Sequence, residues 1–227
     1  MKLLLFDLDG TLVSTGGAGL RALDRAFAAL FGLRGAMEGI SPAGKTDPLI
    51  VREVFEKKRG TRPAAEDVRR VCESYLAFLS EEVPKSPGYR VMEGIRELLD
   101  RLWAEKGALL ALGTGNLERG ARIKLEPGGL NRYFNFGGFG SDAEARADML
   151  RAGVRRAEER TGMVFPLRDV FVIGDTILDV KAGKEVGAVT VAVACGHGKR
   201  DDLRVAQPDV YMESFADPAP LWKALGF

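Results

Sequence analysis

The sequence predicts an α/β fold: a Rossmann-like open parallel sheet core with an inserted all-helical cap domain. Short, continuously apolar runs at residues 3–6, 108–112, 170–173 and 189–193 each stop at a polar or glycine-containing loop. Runs of that length without alternation suit parallel strands covered on both faces. Between them lie segments of helical periodicity, and strand–helix alternation at this spacing means an open sheet with right-handed crossovers. From about residue 16 to residue 83, by contrast, the pattern is helical with no convincing strand.

The first apolar run ends in Asp7-Leu8-Asp9-Gly10-Thr11. Strand side chains alternate, so Asp7 and Asp9 are expected to point the same way at the strand's carboxyl end. Such neighbours raise each other's pKa unless a cation lies between them. A plain Asp-Gly turn accounts for Asp9, Gly10 and Thr11 but has no need of Asp7.

Helices are expected over 20–31, 48–58 and 64–79, closed off by Pro84 and Pro87-Gly88. Gly16-Gly17 and the stretch 84–88 would be hinges, dividing the chain into a core of residues 1–15 and 88–227 and a helical insert of residues 16–87. In the core, a helix over 91–103 puts Ile95, Leu98, Leu99 and Leu102 on one face. Further helices are expected over 118–125, 147–160 and 178–186, the last ended by Gly187. Residues 210–212 are a short strand candidate, and the aromatic, glycine-rich stretch 134–139 reads as a short strand and turn at the sheet edge. Trp103 and Trp222 read as core and C-terminal packing, and Cys195 as a small buried residue.

Three of the strands end in chemistry: Asp7 and Asp9, then Thr114 in Gly113-Thr114-Gly115-Asn116, then Asp175 in Gly174-Asp175-Thr176. Open parallel sheets bind ligands outside the carboxyl ends of their strands, so these groups are expected in one crevice. Asp179, four residues beyond Asp175, would face back toward it from the first turn of a helix. A pocket with so many carboxylates accepts an anionic substrate only with a divalent cation. Carboxylate oxygens with room for water suit Mg²⁺ better than zinc.

Composition excludes several classes. Apolar residues make up 46% of the 227, enough for a sizeable core, and 33 basic residues face 32 acidic ones. No basic field marks nucleic acid as a partner. Two cysteines, Cys72 and Cys195, lie far apart and point to a reducing, cytoplasmic setting. No apolar run is long enough to span a membrane, and the opening one is cut short by Asp7 and Asp9, unlike a signal peptide. The chain is expected to be a monomer or small homo-oligomer.

The three motifs together resemble those of the haloacid dehalogenase-like hydrolases: Asp7-Leu8-Asp9-Gly10-Thr11, Thr114 after a buried strand, and Gly174-Asp175-Thr176-Ile177-Leu178-Asp179. The likeness covers essentially the whole chain. The insert is similar to the cap of the phosphoglycolate phosphatase and β-phosphoglucomutase branch. The resemblance implies that Asp7 is the nucleophile, forming an aspartyl-phosphate, and Asp9 the acid/base. It implies Mg²⁺ on Asp7, the backbone carbonyl of Asp9, and Asp175, with Asp179 in support. Thr114, Gly115 and Asn116 would hold phosphate. The dehalogenases of this fold lack an aspartate at the position of Asp9, which favours phosphoryl chemistry.

The family's lysine, usually Lys-Pro before the helix preceding the last motif, is missing. Arg146 takes its place and is assigned the charge-balancing role, though guanidinium geometry differs. Lys124 is the other candidate and reads as a solvated helix lysine. In the insert, Gly44-Lys45-Thr46-Asp47 leads into a helix at Pro48. Lys45 and Thr46 are candidates for reading the substrate; the alternative is Thr46 or Asp47 as the helix cap with Lys45 solvated. Arg21, Arg25 and Arg52 are weaker candidates for the same cleft. His197, the only histidine, reads as incidental or at most a minor wall of the site.

The expected activity is Mg²⁺-dependent hydrolysis of a small soluble phosphate monoester, phosphoglycolate- or sugar-phosphate-like. The alternatives are a phosphomutase with the same core chemistry, although no match to the mutase cap is seen, and a phosphate-ester-binding protein without turnover. A phosphonate hydrolase would need a cap lysine, and the context of Lys45 does not resemble that family.

Overall fold

The computed structural model describes residues 1–227. In chain order the elements are β1 (Lys2–Phe6), β2 (Val13–Thr15), α1 (Ala18–Phe31), α2 (Asp47–Val54), α3 (Ala65–Glu82), β3 (Tyr89–Val91), α4 (Ile95–Ala104), β4 (Ala108–Thr114) and α5 (Glu118–Leu125). There follow β5 (Gly137–Phe139), α6 (Arg146–Thr161), β6 (Val170–Gly174), α7 (Ile177–Val186), β7 (Val189–Val193), α8 (Arg200–Val205), β8 (Val210–Met212) and α9 (Ala219–Leu225). Six strands form one parallel sheet in the order β5-β4-β1-β6-β7-β8. The stretch 134–139 does supply an edge strand.

Strand periodicity explains the layers. On β1, Leu4 and Phe6 enter one core with α4, α5 and α9, while Leu3 and Leu5 enter another with α6 and α7. Both faces are covered, as the unbroken apolar runs require. Phe6 is in register with Leu112 on one side and Ile173 on the other. The three strands that lead into the polar motifs are therefore adjacent and end at one level.

Helix α6 lies close on the sheet edge because glycine faces glycine. A Cβ at Gly138 would overlap the Met149 carbonyl, and one at Gly153 would crowd the Gly138 amide. That approach sets the height of α6 and of Arg146 at its first turn.

Helices α1–α3 share a separate core, centred on Phe27, Phe55, Val71, Tyr75 and Leu79. Phe27 and Phe31 both pack edge-on or tilted against neighbours there, with Phe55 5.4 and 5.1 Å away between ring centroids. The connections differ from simple hinges. β2 and β3 pair antiparallel, Val13 opposite Val91 and Thr15 opposite Tyr89, and Ser86 Oγ donates to the Thr15 carbonyl at 2.6 Å. Three-residue strands leave too little periodicity to read, and Val91 consequently lies in β3 rather than in the helix that starts at Ile95. The helix expected over 48–58 is α2 followed by a π-type turn, Phe55–Arg59, ended by Gly60. Helices α8 and α9 fall in segments where no helix was expected. Trp103 is a correction: it is 56% exposed and stacks edge-on with Tyr133 at the surface. Trp222 does pack against the core and the C-terminal Phe227.

Gly138→Ala should lower stability by about 1–3 kcal/mol by forcing α6 off the sheet, an overpacking cost readable in thermal unfolding.

Candidate active site

Asp7 follows β1 on the side of Leu3 and Leu5, the side covered by α6 and α7. Arg146 and Asp179 lie at the starts of those two helices. Arg146 Nη2 is 2.9 Å from Asp7 Oδ1 and also donates to Asp179 Oδ1. Asp179 is oriented by a capping box: its Oδ2 accepts from the Thr176 amide at 3.0 Å and the Thr176 hydroxyl at 2.6 Å, and Thr176 Oγ1 accepts from the Asp179 amide. The reciprocal cap leaves Oδ1 free for Arg146. Asp175, fully buried after β6, accepts from Thr11 Oγ1 at 3.1 Å and from the His197 amide at 2.5 Å. His197 Nδ1 lies 3.5 Å from the same carboxylate.

Asp7, Asp175 and Asp179 can each offer an oxygen within 4.8 Å of the others. Three buried carboxylates cluster here, and one guanidinium bridges two of them. Burial pushes Asp7 up to about 7; Arg146 pulls it down, and Asp179, Asp175 and Asp9 push it up. A hard divalent cation with oxygen preference fits this surplus of buried negative charge. The carboxylate of Asp9 stands outside the cluster. Regular strand ends at Phe6, and Asp7 and Asp9 border the same cavity but take different partners.

Asp9 points instead to α5. Its Oδ2 accepts from Asn116 Nδ2 at 2.8 Å and Lys124 Nζ at 2.6 Å. Asn116 Nδ2 also donates to Thr114 Oγ1 at 2.8 Å, and its Oδ1 accepts from Lys124 at 2.6 Å. Lys124 is thus no solvated helix lysine: it is 5% exposed. With Gly120, Ala121 and Leu125 it forms the buried face of α5. Burial pulls its pKa down, but Asp9, Tyr75 and Asp47 more than reverse this and keep it charged.

A cavity of about 400 Å³ opens beside these groups, lined among others by Asp7, Asp9, Thr114, Gly115, Asn116, Lys124, Arg146 and His197. The helical insert supplies Gly19, Leu20, Leu23, Lys45, Ile50 and Tyr75. The 44–47 loop rests directly on the core. The Asp47 amide donates to the Gly115 carbonyl at 2.8 Å, Asp47 Oδ2 accepts from the Leu117 amide at 2.9 Å, and Arg146 Nη1 reaches the Gly44 carbonyl at 3.3 Å. A side chain at Gly115 would overlap the Lys45 carbonyl.

Several expectations need correction. Thr46 is buried and spends its hydroxyl on the Glu144 carbonyl at 3.2 Å, off the cavity wall. Lys45 does line the cavity, but its ammonium is 2.5 Å from Glu53. Asp47 makes no side-chain cap, being drawn to Leu117 instead. Arg21 and Arg25 pair with Glu82, and Arg52 with Glu144, none of them on the cavity wall. Cys195 is half-buried, its thiol 3.3 Å from the Gly10 carbonyl.

A buried set of strand-end carboxylates, a threonine at the end of the neighbouring strand and a basic residue bridging two of the carboxylates lie together where open parallel sheets bind ligands. Residues 4–193 match the family of haloacid dehalogenase-like hydrolases, and the chain belongs to that family, in its phosphatase branch. It is 29% identical over 216 residues to "Probable phosphatase IndB" of Dickeya dadantii, covering 95% of this chain and 90% of that one. To the phosphoglycolate phosphatase of Agrobacterium fabrum it is 27% identical over 227 residues, with 96% and 91% covered. A hydrolase structure from Pseudomonas syringae superposes with a TM-score of 0.74 at 22% identity, 96% of each chain covered. No helix of this chain is long and apolar enough to cross a membrane.

Burial pushes the Asp47 carboxyl up to about 6, against the pull of Lys124 and the Leu117 amide. A raised folded value means that the fold takes up a proton, so the contribution of Asp47 is full below pH ~4 and lost as pH rises through about 6. Native protein should lose up to about 3 kcal/mol more than Asp47→Asn over this window, as read by urea unfolding at stepped pH.

Proposed function

We propose that the protein is a Mg²⁺-dependent phosphatase that hydrolyses a small soluble phosphate monoester through an aspartyl-phosphate on Asp7. The observation that carries this reading is Arg146 bridging Asp7 and Asp179, two buried carboxylates beside Asp175. In this reading residues 16–87 are a cap over a core of residues 1–15 and 88–227, and the 44–47 loop is its contact with the core.

Asp7 attacks phosphorus while the bond to the ester oxygen breaks, and Asp9 gives that oxygen a proton. Asp9 then takes a proton from water as the water oxygen displaces Asp7 from phosphorus. Arg146 holds the Asp7 oxygen in place and offers its guanidinium to the phosphoryl oxygens. The Thr114 hydroxyl and the backbone amides of Gly115 and Asn116 would supply donors to the phosphate oxygens. Mg²⁺, held by Asp7, the Asp9 carbonyl and Asp175 with Asp179 in support, would supply charge neutralisation at the phosphoryl group. The apolar and hydroxyl groups of the cap wall would receive the alcohol and exclude water. The phosphoglycolate phosphatase named among the relatives makes phosphoglycolate one ester to test, together with sugar phosphates.

Hydrolysis of p-nitrophenyl phosphate should require Mg²⁺, stop with EDTA and vanish in Asp7→Asn. Turnover that persists in that variant would remove Asp7 from the nucleophile's role. Arg146→Ala should lower kcat by about 10²- to 10³-fold, the usual scale for losing one positioned charge donor, and Arg146→Lys should recover part of it in the same assay.

A further inference from the structure

Lys124 has no part in the phosphoryl-transfer scheme above, yet it is the cation that touches Asp9. Its Nζ and the Asn116 amide both bond to Asp9 Oδ2, at 2.6 and 2.8 Å. No such bond falls on Oδ1. The Lys124 ammonium is itself held by Asn116 Oδ1 at 2.6 Å, and Asn116 is held by Thr114. On the side of the helical insert, a Cβ added at Gly19 would lie 3.6 Å from Lys124 Nζ and 3.7 Å from the Tyr75 hydroxyl. Lys124 therefore sits where α1 and α3 close over α5, shielded from water on that side. A carboxylate on a loop past the end of a strand, 31% exposed, would otherwise rotate about its last bond.

We propose that Lys124 is a positioning residue for Asp9: it pins Oδ2, so that Oδ1 is the oxygen that carries and exchanges the proton. The proposal rests on the reading of Asp9 as the acid/base. In the first step the Oδ1–H proton passes to the ester oxygen as the P–O bond breaks and its electron pair moves onto that oxygen. In the second, Oδ1 takes a proton from the water whose oxygen bonds to phosphorus. A fixed Oδ2 gives both transfers one geometry, and geometry governs the efficiency of such transfers. The charges facing Lys124 are those of Asp9 and Asp47, with the Tyr75 phenol beside them. A purely structural lysine would balance those carboxylates and do no more.

Leaving-group dependence separates the two roles. p-Nitrophenolate departs without a proton, whereas an alkoxide needs one. In Lys124→Met, kcat/KM for an alkyl phosphate such as glycerol phosphate should fall about 10²-fold, the scale of a mispositioned acid, and at least tenfold more than for p-nitrophenyl phosphate. In an Asp9→Asn background the same change should add no alkyl-specific loss. Lys124→Gln keeps a donor toward Oδ2 and should recover part of the alkyl activity. It also serves as the test variant if Lys124→Met does not fold. Equal losses on both esters, or no loss on either, overturn the positioning role while leaving the phosphatase reading intact. A native protein that turns over neither ester with Mg²⁺ overturns both.

Discussion

Burying carboxylates at the end of a strand is costly unless each finds a partner, and Arg146 is the partner on which this site depends. One guanidinium spans Asp7 after β1 and Asp179 at the head of α7, while its own helix, α6, is pressed to the sheet by the facing glycines Gly138 and Gly153. Removing such a bridge leaves uncompensated buried charge, which costs about 3–5 kcal/mol. The bridge therefore joins sheet, α6 and α7 at the point where the chemistry is proposed to occur.

The arrangement divides the acidic groups by partner. Asp7 and Asp179 answer to Arg146; Asp175 is held by Thr11 and the 195–198 loop; Asp9 belongs to Lys124 and Asn116. Two carboxylates two residues apart thereby acquire separate surroundings, and separate surroundings are what allow one of a pair to act as nucleophile and the other to handle protons. The division is made by the elements that supply the partners: Arg146 comes from α6, and Lys124 and Asn116 from α5 and the loop before it.

The helical insert is tied to the core by backbone as much as by side chains. The 44–47 loop bonds to Gly115 and Leu117 and accepts from Arg146, so a loop that lines the cavity also touches the segment after β4 and the bridging arginine.

Much of this was legible in the sequence because it depends on local pattern. Unbroken apolar runs gave the parallel strands, their polar ends marked the site, and the spacing of Asp175 and Asp179 placed the latter on the first turn of a helix facing it. The composition of a run determines whether both faces are buried, and that is a property of the chain itself. The partners of each charge were decided only by tertiary structure. Lys124 looked solvated because a helix face is apolar or polar only relative to what packs on it, and α3 and the Asp9 loop arrive from elsewhere in the chain. Thr46 and Asp47 looked like substrate and capping groups, but Glu144 and Leu117, distant in sequence, claim them. The β2–β3 ribbon was invisible for the same reason: three-residue strands have no periodicity of their own and exist only because Val13 and Val91 are brought together.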